Sequence, residues 1–414
     1  MDARWLILAD DLTGAADCAI AFRRRGRAAA VIWGETAWDE EVPVLSYDAD
    51  SRGLSEAAAA QRHAALLQRF HTAGRRLFKK IDSTLRGHPA AEIAASLAPL
   101  RAVHGHAFGI LAPAFPGTGR TTVDGRVRVG GRPLEDTEVW RRDHRYETAE
   151  LGAMLATAGL ASRVLPLETV RGGGLAGALA EAASVPDRIA VCDAETDDDL
   201  CRIAEAGLAM DGSPFFIGSA GLAHALAAST PPQGLDPVRI GPDGRGALFV
   251  VGSMADISRA GARRLVADGA VLHLPVTPHT LLTDADGRAG LAAQVAERLA
   301  AGGDVLVEIV LAGEPDMSLG LRLAHALADA LASVAGEIGA LAATGGETAA
   351  ALLTRLDIRG IHLADEIEPG VSLGLTLGRL SIPIATKAGA FGDADSLVRI
   401  RDRLRKARTE GSLT

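Results

Sequence analysis

Short apolar runs of β-forming residues alternate with Ala/Leu-rich stretches along almost the whole chain, and this rhythm constrains the fold more than anything else. WLILA, AAVIW, PVLSY, RLFKKI, FGILAPA, RIAVCD and PFFIG each have the length of a buried strand, with helical sequence between several of them. The pattern predicts βαβ units and a mainly parallel sheet flanked by helices. Residues 55–70, with Ala58, Leu66 and Leu67 on a helical period, fit one crossover helix. Residues 117–145 break the rhythm: rich in Gly, Arg, Thr and Asp, they read as a long loop or β-hairpin excursion.

A second break follows Leu226, where AASTPPQGLDPVRIGPDGRG has the composition of an interdomain linker. A new alternating series then starts at ALFVVGSM, with strands at AVLHLPV, DVLVEIV, ALAATGG, SLGLTLG and LSIPIATKAG. Helices are expected over 260–268, 290–301, 347–356 and, as one long helix, 319–338. At 414 residues the chain exceeds one ordinary hydrophobic core. The reading is therefore two α/β domains, 1–230 and 247–408, joined by a linker over 231–246, with an interdomain cleft as the expected ligand site.

The net charge of −9 argues against nucleic acid or an anionic membrane as the main partner, because both select basic surfaces. Cys18, Cys192 and Cys201 have neither metal-ligand spacing nor the number for a disulfide framework, which points to a reducing, cytoplasmic compartment. No run approaches a membrane span. His104 and His106 form the one close histidine pair, without the cysteines or acids a metal site needs, so no metal ligand is assigned.

The chemistry concentrates where predicted strands end. Asp10 and Asp11 follow the first strand, in ADDLTGAAD, at the edge where open α/β sheets bind ligands. Either acid suits a substrate hydroxyl, and either equally suits a helix cap. Asp17, inside the next helix, reads as structural. KKIDSTLRGH packs Lys80, Asp82, Ser83, Thr84 and Arg86 after another strand, a set suited to a carboxylate with several hydroxyls. Arg52, after PVLSY, and Arg120, in PAFPGTGRT, are further cations for the same rim.

The second series carries glycine turns instead. Gly252-Ser253, with Ser258 in the next helix, Gly345-Gly346-Glu347-Thr348, the PGVSLG turn and TKAGAFG with Lys387, Gly389 and Gly392 suit a polyphosphate. There is no GxxxxGK[ST] loop and no ordered GxGxxG after the first strand, which argues against a P-loop enzyme and against a dinucleotide site.

Taken in order, ADDLTGAAD, KKIDSTLRG, APAFPGTGRT, IGSAGLA, VGSM, TGGETA, PGVSLG and TKAGAFG resemble the four-carbon acid sugar kinase family over residues 5 to 395. The resemblance implies an N-terminal domain for the acid sugar and a C-terminal domain for ATP, and phosphoryl transfer leads us to expect Mg²⁺ bridging ATP oxygens. Phosphate would go to a terminal hydroxyl of a threonate, erythronate or 3-oxo-tetronate. It further implies that Asp10, Asp11, Arg52, Lys80, Asp82 and Arg86 contact the acid; on the chemistry of phosphoryl transfer, Asp11 or Asp82 is expected to be the base. Ser253, Ser258, Gly345, Gly346, Glu347, Thr348, Gly389 and Gly392 would contact ATP. His88 and Ala390 depart from the family pattern. Two rival readings are a non-catalytic sugar-acid sensor and an NAD-dependent hydroxy-acid dehydrogenase. A homodimer is one assembly the sequence leaves open.

Overall fold

The computed structural model describes residues 4–34, 41–234, 237–311, 319–389 and 391–413. The chain forms two units: the first runs to Gly234, and the second takes the rest together with a short stretch that begins at Ala30.

The chain opens with β1 (Arg4–Ala9) and α1 (Leu12–Arg23) of the first unit, passes through β2 (Ala29–Trp33), which belongs to the second unit from Ala30 on, and returns to the first unit at β3 (Val44–Asp48). Next come α2 (Glu56–Phe70), β4 (Arg75–Lys80), α3 (Pro89–His104) and β5 (Gly109–Ala112). Ser55 caps α2 by accepting from Ala58 N, while Pro89 starts α3 and Gly105 ends it in a left-handed turn. The excursion after β5 is a small antiparallel sheet of β6 (Arg120–Val123), β7 (Arg126–Val129) and β8 (Arg132–Pro133). β9 (Ser162–Leu165), β10 (Ile189–Cys192) and β11 (Phe215–Gly218) complete the main sheet, ordered β3-β1-β4-β11-β5-β10-β9 and parallel throughout. Its central strands are buried along nearly their whole length, as helices on both faces require, and Trp5 anchors the core against Phe22 and Phe216.

In the second unit β13 (Val271–Val276), β14 (Asp304–Ile309), β12 (Ala247–Val251), β15 (Ala340–Thr344) and β18 (Pro383–Lys387) run parallel in that spatial order. β17 (Val371–Gly378) and β16 (Ile358–Glu368) continue the sheet antiparallel, and β2 adds to β16 through pairs such as Ile361↔Val31. Helices α4 (Asp256–Ala267), α5 (Gly346–Arg355) and α6 (Ser396–Glu410) cover it. Leu397, Ile400 and Leu404 of α6 pack into the core that holds Phe249 and Leu306.

Two expectations are corrected. The long helix over 319–338 stops at Leu331 and tightens into a 3₁₀ turn over Ala332–Glu337. The apolar period that suggested one rod belongs to two shorter pieces, and only backbone hydrogen bonding tells them apart. AAVIW is a strand, but its described ladder lies in the second sheet, because a uniformly apolar run identifies a buried strand without naming its neighbours.

Candidate functional site

Three neighbouring strands of the first sheet explain why residues far apart in sequence meet. β3, β1 and β4 lie side by side and parallel, so the turns after Asp48, Ala9 and Lys80 open at one edge. Asp50 (φ 45°) and Leu85 (φ 61°) hold left-handed conformations in two of these turns. Such a backbone costs a non-glycine residue on the order of 1–3 kcal/mol and clusters where chemistry demands it.

All six predicted acid-sugar residues join one network. Lys80 Nζ donates to Asp10 Oδ1 at 3.0 Å and to Asp11 Oδ1 at 2.7 Å. Arg52 Nε donates to Asp10 Oδ2 at 2.8 Å, and its Nη2 lies 3.0 Å from Asp11 Oδ1 and 3.8 Å from Asp82 Oδ1. Arg86 grips Asp82 with two parallel bonds, Nε to Oδ2 at 3.0 Å and Nη2 to Oδ1 at 2.9 Å, and the Thr84 hydroxyl also donates to Oδ2. Three carboxylates thus balance three cations, and the Arg86 fork, expected to face substrate, is turned on Asp82 instead.

This balance sets the charge states. Burial alone would push the Asp11 carboxyl up, but Arg52 and Lys80 outweigh it and hold the group well below the usual carboxylate range. Asp82 is likewise pulled down against burial, by Arg86 and Arg52. Burial works against the Lys80 charge, yet Asp10 and Asp11 keep its pKa above the ordinary lysine value. All three stay ionised at neutral pH.

Asp11 has two duties. It caps α1 by accepting from Gly14 N at 3.3 Å, the bland alternative for this residue, and among the described residues its Oδ2 takes only the Thr13 hydroxyl at 2.7 Å. Both Asp82 oxygens, by contrast, are already engaged. Gly14 is required by close approach: a Cβ there would lie 2.1 Å from Lys80 Nζ. Arg120, placed by β6, donates from Nη1 to Ser83 Oγ at 2.8 Å and pairs with no carboxylate among the described residues.

Sequence reasoning missed what lies beneath. Lys79, buried like its neighbour, is held by Glu92 Oε2 at 2.8 Å, and Glu92 Oε1 accepts from Ser51 Oγ at 2.7 Å. His63 completes the set at 3.0 Å from Ser51 Oγ and 3.4 Å from Glu92 Oε1. Lys79 precedes Lys80 and Ser51 precedes Arg52, so this ionic knot fixes the backbone under both cations. The lone acid in the apolar stretch AAEIAAS was the available signal. Asp48, at the end of β3, was also missed: burial pushes its carboxyl well above the usual range, only partly relieved by the Asp50 N–H at 2.8 Å. His88 is buried and its Nε2 sits 2.7 Å from Leu54 O, whereas Ala390 lies outside the described residues.

In the second unit the glycine turns gather around Ser253. A Cβ on Gly389 would fall 2.3 Å from Ser253 Oγ, and one on Gly345 would fall 3.4 Å from Ser253 N. Ser258 Oγ donates to Gly389 O at 2.8 Å. Gly345, at φ 98°, ends β15 and leaves the N-terminus of α5 without a side-chain cap, so the amides of Gly346, Glu347 and Thr348 open the helix. Thr348 is buried against Gly252, while Glu347 is exposed. Gly392 stands apart, against Ser396 and Glu368 at the start of α6.

A cavity of about 380 Å³ lined by Arg101, His106, Asp187 and Met210 lies at the amino ends of β5, β10 and β11, the opposite edge from the acidic network. Among the described residues no cluster of three or more His, Cys, Asp or Glu is arranged to hold a metal ion, and no helix is long and apolar enough to cross a membrane.

Comparison with known proteins identifies the two domains and the family. Residues 5–226 match the family model described as a sugar-binding N-terminal domain, and 248–397 match that of a nucleotide-binding C-terminal domain. A D-threonate kinase of Cupriavidus necator is 42% identical over 405 residues, covering 95% of this chain and 96% of that protein. A D-threonate kinase of Bordetella bronchiseptica is 35% identical, covering 97% and 98%. The crystal structure of a protein described as a putative tRNA synthase from Salmonella typhimurium LT2 superposes with a TM-score of 0.80 over 98% of this chain and all of the other. At 21% identity that likeness speaks for the fold alone. Other relatives are named D-erythronate kinase and 3-oxo-tetronate kinase, which favours phosphoryl transfer over a sensor or a dehydrogenase. From the paired domains and the extent of these matches, the chain belongs to the family of four-carbon acid sugar kinases.

Proposed function

We propose that the chain transfers the γ-phosphoryl group of ATP to a terminal hydroxyl of D-threonate, with D-erythronate and 3-oxo-tetronate as the competing acids. The observation that carries the reading is the balanced network of the first unit, which keeps Asp11 ionised while leaving its Oδ2 room for one more donor. That oxygen takes the substrate hydroxyl and then its proton. A carboxylate of such low basicity is adequate, because phosphoryl transfer runs through a loose transition state in which positioning outweighs base strength. Asp82, saturated by Arg86 and Thr84, orients Arg86 instead.

Arg120 and the free edge of Arg86 bind the substrate carboxylate, which fixes the distance from the acid end to the reacting hydroxyl. Lys80, Arg52 and Asp10 hold Asp11 in place. Ser253, Ser258, Gly345 to Thr348 and Gly389 receive ATP, with Gly392 shaping the turn beside them. Mg²⁺ bound with the nucleotide would supply neutralisation of phosphate charge beside Ser253 and the turn of Gly345 to Thr348. Three free cysteines fit work in a reducing cytoplasm.

The test is ADP release from ATP and Mg²⁺ with D-threonate, L-threonate, D-erythronate and 3-oxo-tetronate in turn. D-Threonate should give the highest kcat/KM. Absence of ADP with all four, together with tight binding of one of them, would move the reading to a sensor.

A further inference from the structure

The second unit contains a buried cation whose counter-charge is missing. Lys387, at the end of β18, is 1% exposed. Its Nζ has two described neighbours, Ala388 O at 3.2 Å and Ser258 Oγ at 3.5 Å, for three N–H donors. No carboxylate pairs with it among the described residues. Glu368 of β16 and Asp393, the acids whose fields reach it, are both engaged by Arg399 of α6, whose Nε lies 2.5 Å from Glu368 Oε2 and Nη2 2.7 Å from Asp393 Oδ1. A buried charge is ordinarily paired, because desolvating an unpaired ion costs several kcal/mol. Burial accordingly lowers the Lys387 pKa.

The surroundings supply a second, independent sign. Thr344 faces Lys387 across the β15–β18 ladder, and Gly345 N donates to Lys387 O at 3.0 Å, so the lysine adjoins the uncapped start of α5. An uncapped helix N-terminus and an unpaired ammonium lack the same thing, an anionic oxygen. Every other buried lysine described here, Lys79 and Lys80, has its carboxylate.

We propose that Lys387 is the phosphate-binding cation of the second unit, contacting the terminal phosphates of the nucleotide. This rests on the nucleotide reading above and adds to it the residue that distinguishes ATP from AMP. Phosphate beside Lys387 favours the ammonium form, so binding takes up protons from solvent in proportion to the fraction of Lys387 that is neutral in the free protein, a fraction that grows towards alkaline pH. The uptake falls below the ordinary lysine value of 10.5, which burial lowers in the free protein, whereas the second phosphate ionisation lies near pH 6.

Calorimetric titration of the full chain with ATP, ADP and AMP tests this, in buffers of different ionisation enthalpy from about pH 7 to 10. Wild type should bind ATP with proton uptake in the alkaline part of that range. Lys387→Met should weaken ATP by about 10- to 100-fold, the scale of a charge-assisted contact, leave AMP within about twofold, and abolish the uptake. Its ligand-free melting temperature should hold or rise, since an unpaired buried charge has gone; a merely structural lysine would lower it. Equal ATP affinity in the two proteins overturns the proposal while leaving the nucleotide reading intact. Wild type that binds no nucleotide sinks both. Should the variant not fold, the wild-type proton count decides alone, and a value of roughly zero across the range overturns the assignment.

Discussion

Replacing Glu92 by Met should be among the most damaging single changes in the first unit, although Glu92 touches no substrate. The carboxylate is 1% exposed and serves Lys79, Ser51 and His63. Without it Lys79 keeps one described acceptor, the Lys80 carbonyl at 2.8 Å, inside a site closed to water. Removing one partner of a buried ion pair costs about 3–5 kcal/mol. For a unit of about 200 residues that corresponds to a fall in Tm of about 6–20 °C, at about 2–4 °C per kcal/mol. The Lys79→Met/Glu92→Met double variant should recover most of the loss, because two apolar chains of similar volume replace the pair without a stranded charge. Urea titration of all four proteins gives the coupling, expected at about 2 kcal/mol or more. The pH dependence has a fixed sign: Lys79 and His63 outweigh burial and hold Glu92 well below 4.5. Its contribution is therefore complete above pH 4.5 and lost as pH falls through the folded value, so wild type and single variant should converge on acidification. A single-variant cost under about 1 kcal/mol, or a double variant that merely sums the singles, would refute the reasoning.

Gly14→Ala should abolish turnover and lower Tm, because the new methyl displaces the Lys80 ammonium from its buried pairs with Asp10 and Asp11; near-normal kcat would contradict the close approach. Asp11→Asn should cut kcat by about 10²- to 10⁴-fold while nucleotide affinity holds, and a loss confined to KM would remove Asp11 as proton acceptor. Arg86→Ala should raise KM for the acid strongly and leave that for ATP nearly unchanged; equal losses in both would contradict the division of binding between the units. His71, whose Nε2 lies 2.9 Å from His104 Nε2, is held down at about 4 by burial and by His104 and Arg75. Stability should therefore decline as pH falls from 6.5 towards about 4, and NMR titration of His71 near 6.5 would overturn that.

Much of this was legible in the amino-acid order for a physical reason. Buried parallel strands must be apolar along their length, so WLILA, PVLSY and FGILA announce themselves, and the polar residues directly after them sit at the ligand edge. Asp10, Asp11, Lys80 and Asp82 stand out that way, and the fold brings them into one network. Their partners were not legible, because an arginine reads alike whether it faces a ligand or a neighbouring carboxylate; Arg86 gripping Asp82 and Arg120 left without an acid depend on which strands adjoin. Glu92, 41 positions from Ser51 and 13 from Lys79, contributes through a helix crossing that no local pattern encodes.

Strand β2 has an implication for anyone wishing to study the units apart. Because β2 lies near the start of the chain and pairs with β16 close to its end, a single cut in the proline-rich stretch around residue 235 would not yield two whole pieces. The C-terminal fragment would present the bare edge of β16, inviting the intermolecular pairing that exposed strand edges promote. During synthesis the same arrangement makes that sheet wait: β2 leaves the ribosome among the first residues, more than 300 residues ahead of its partner β16.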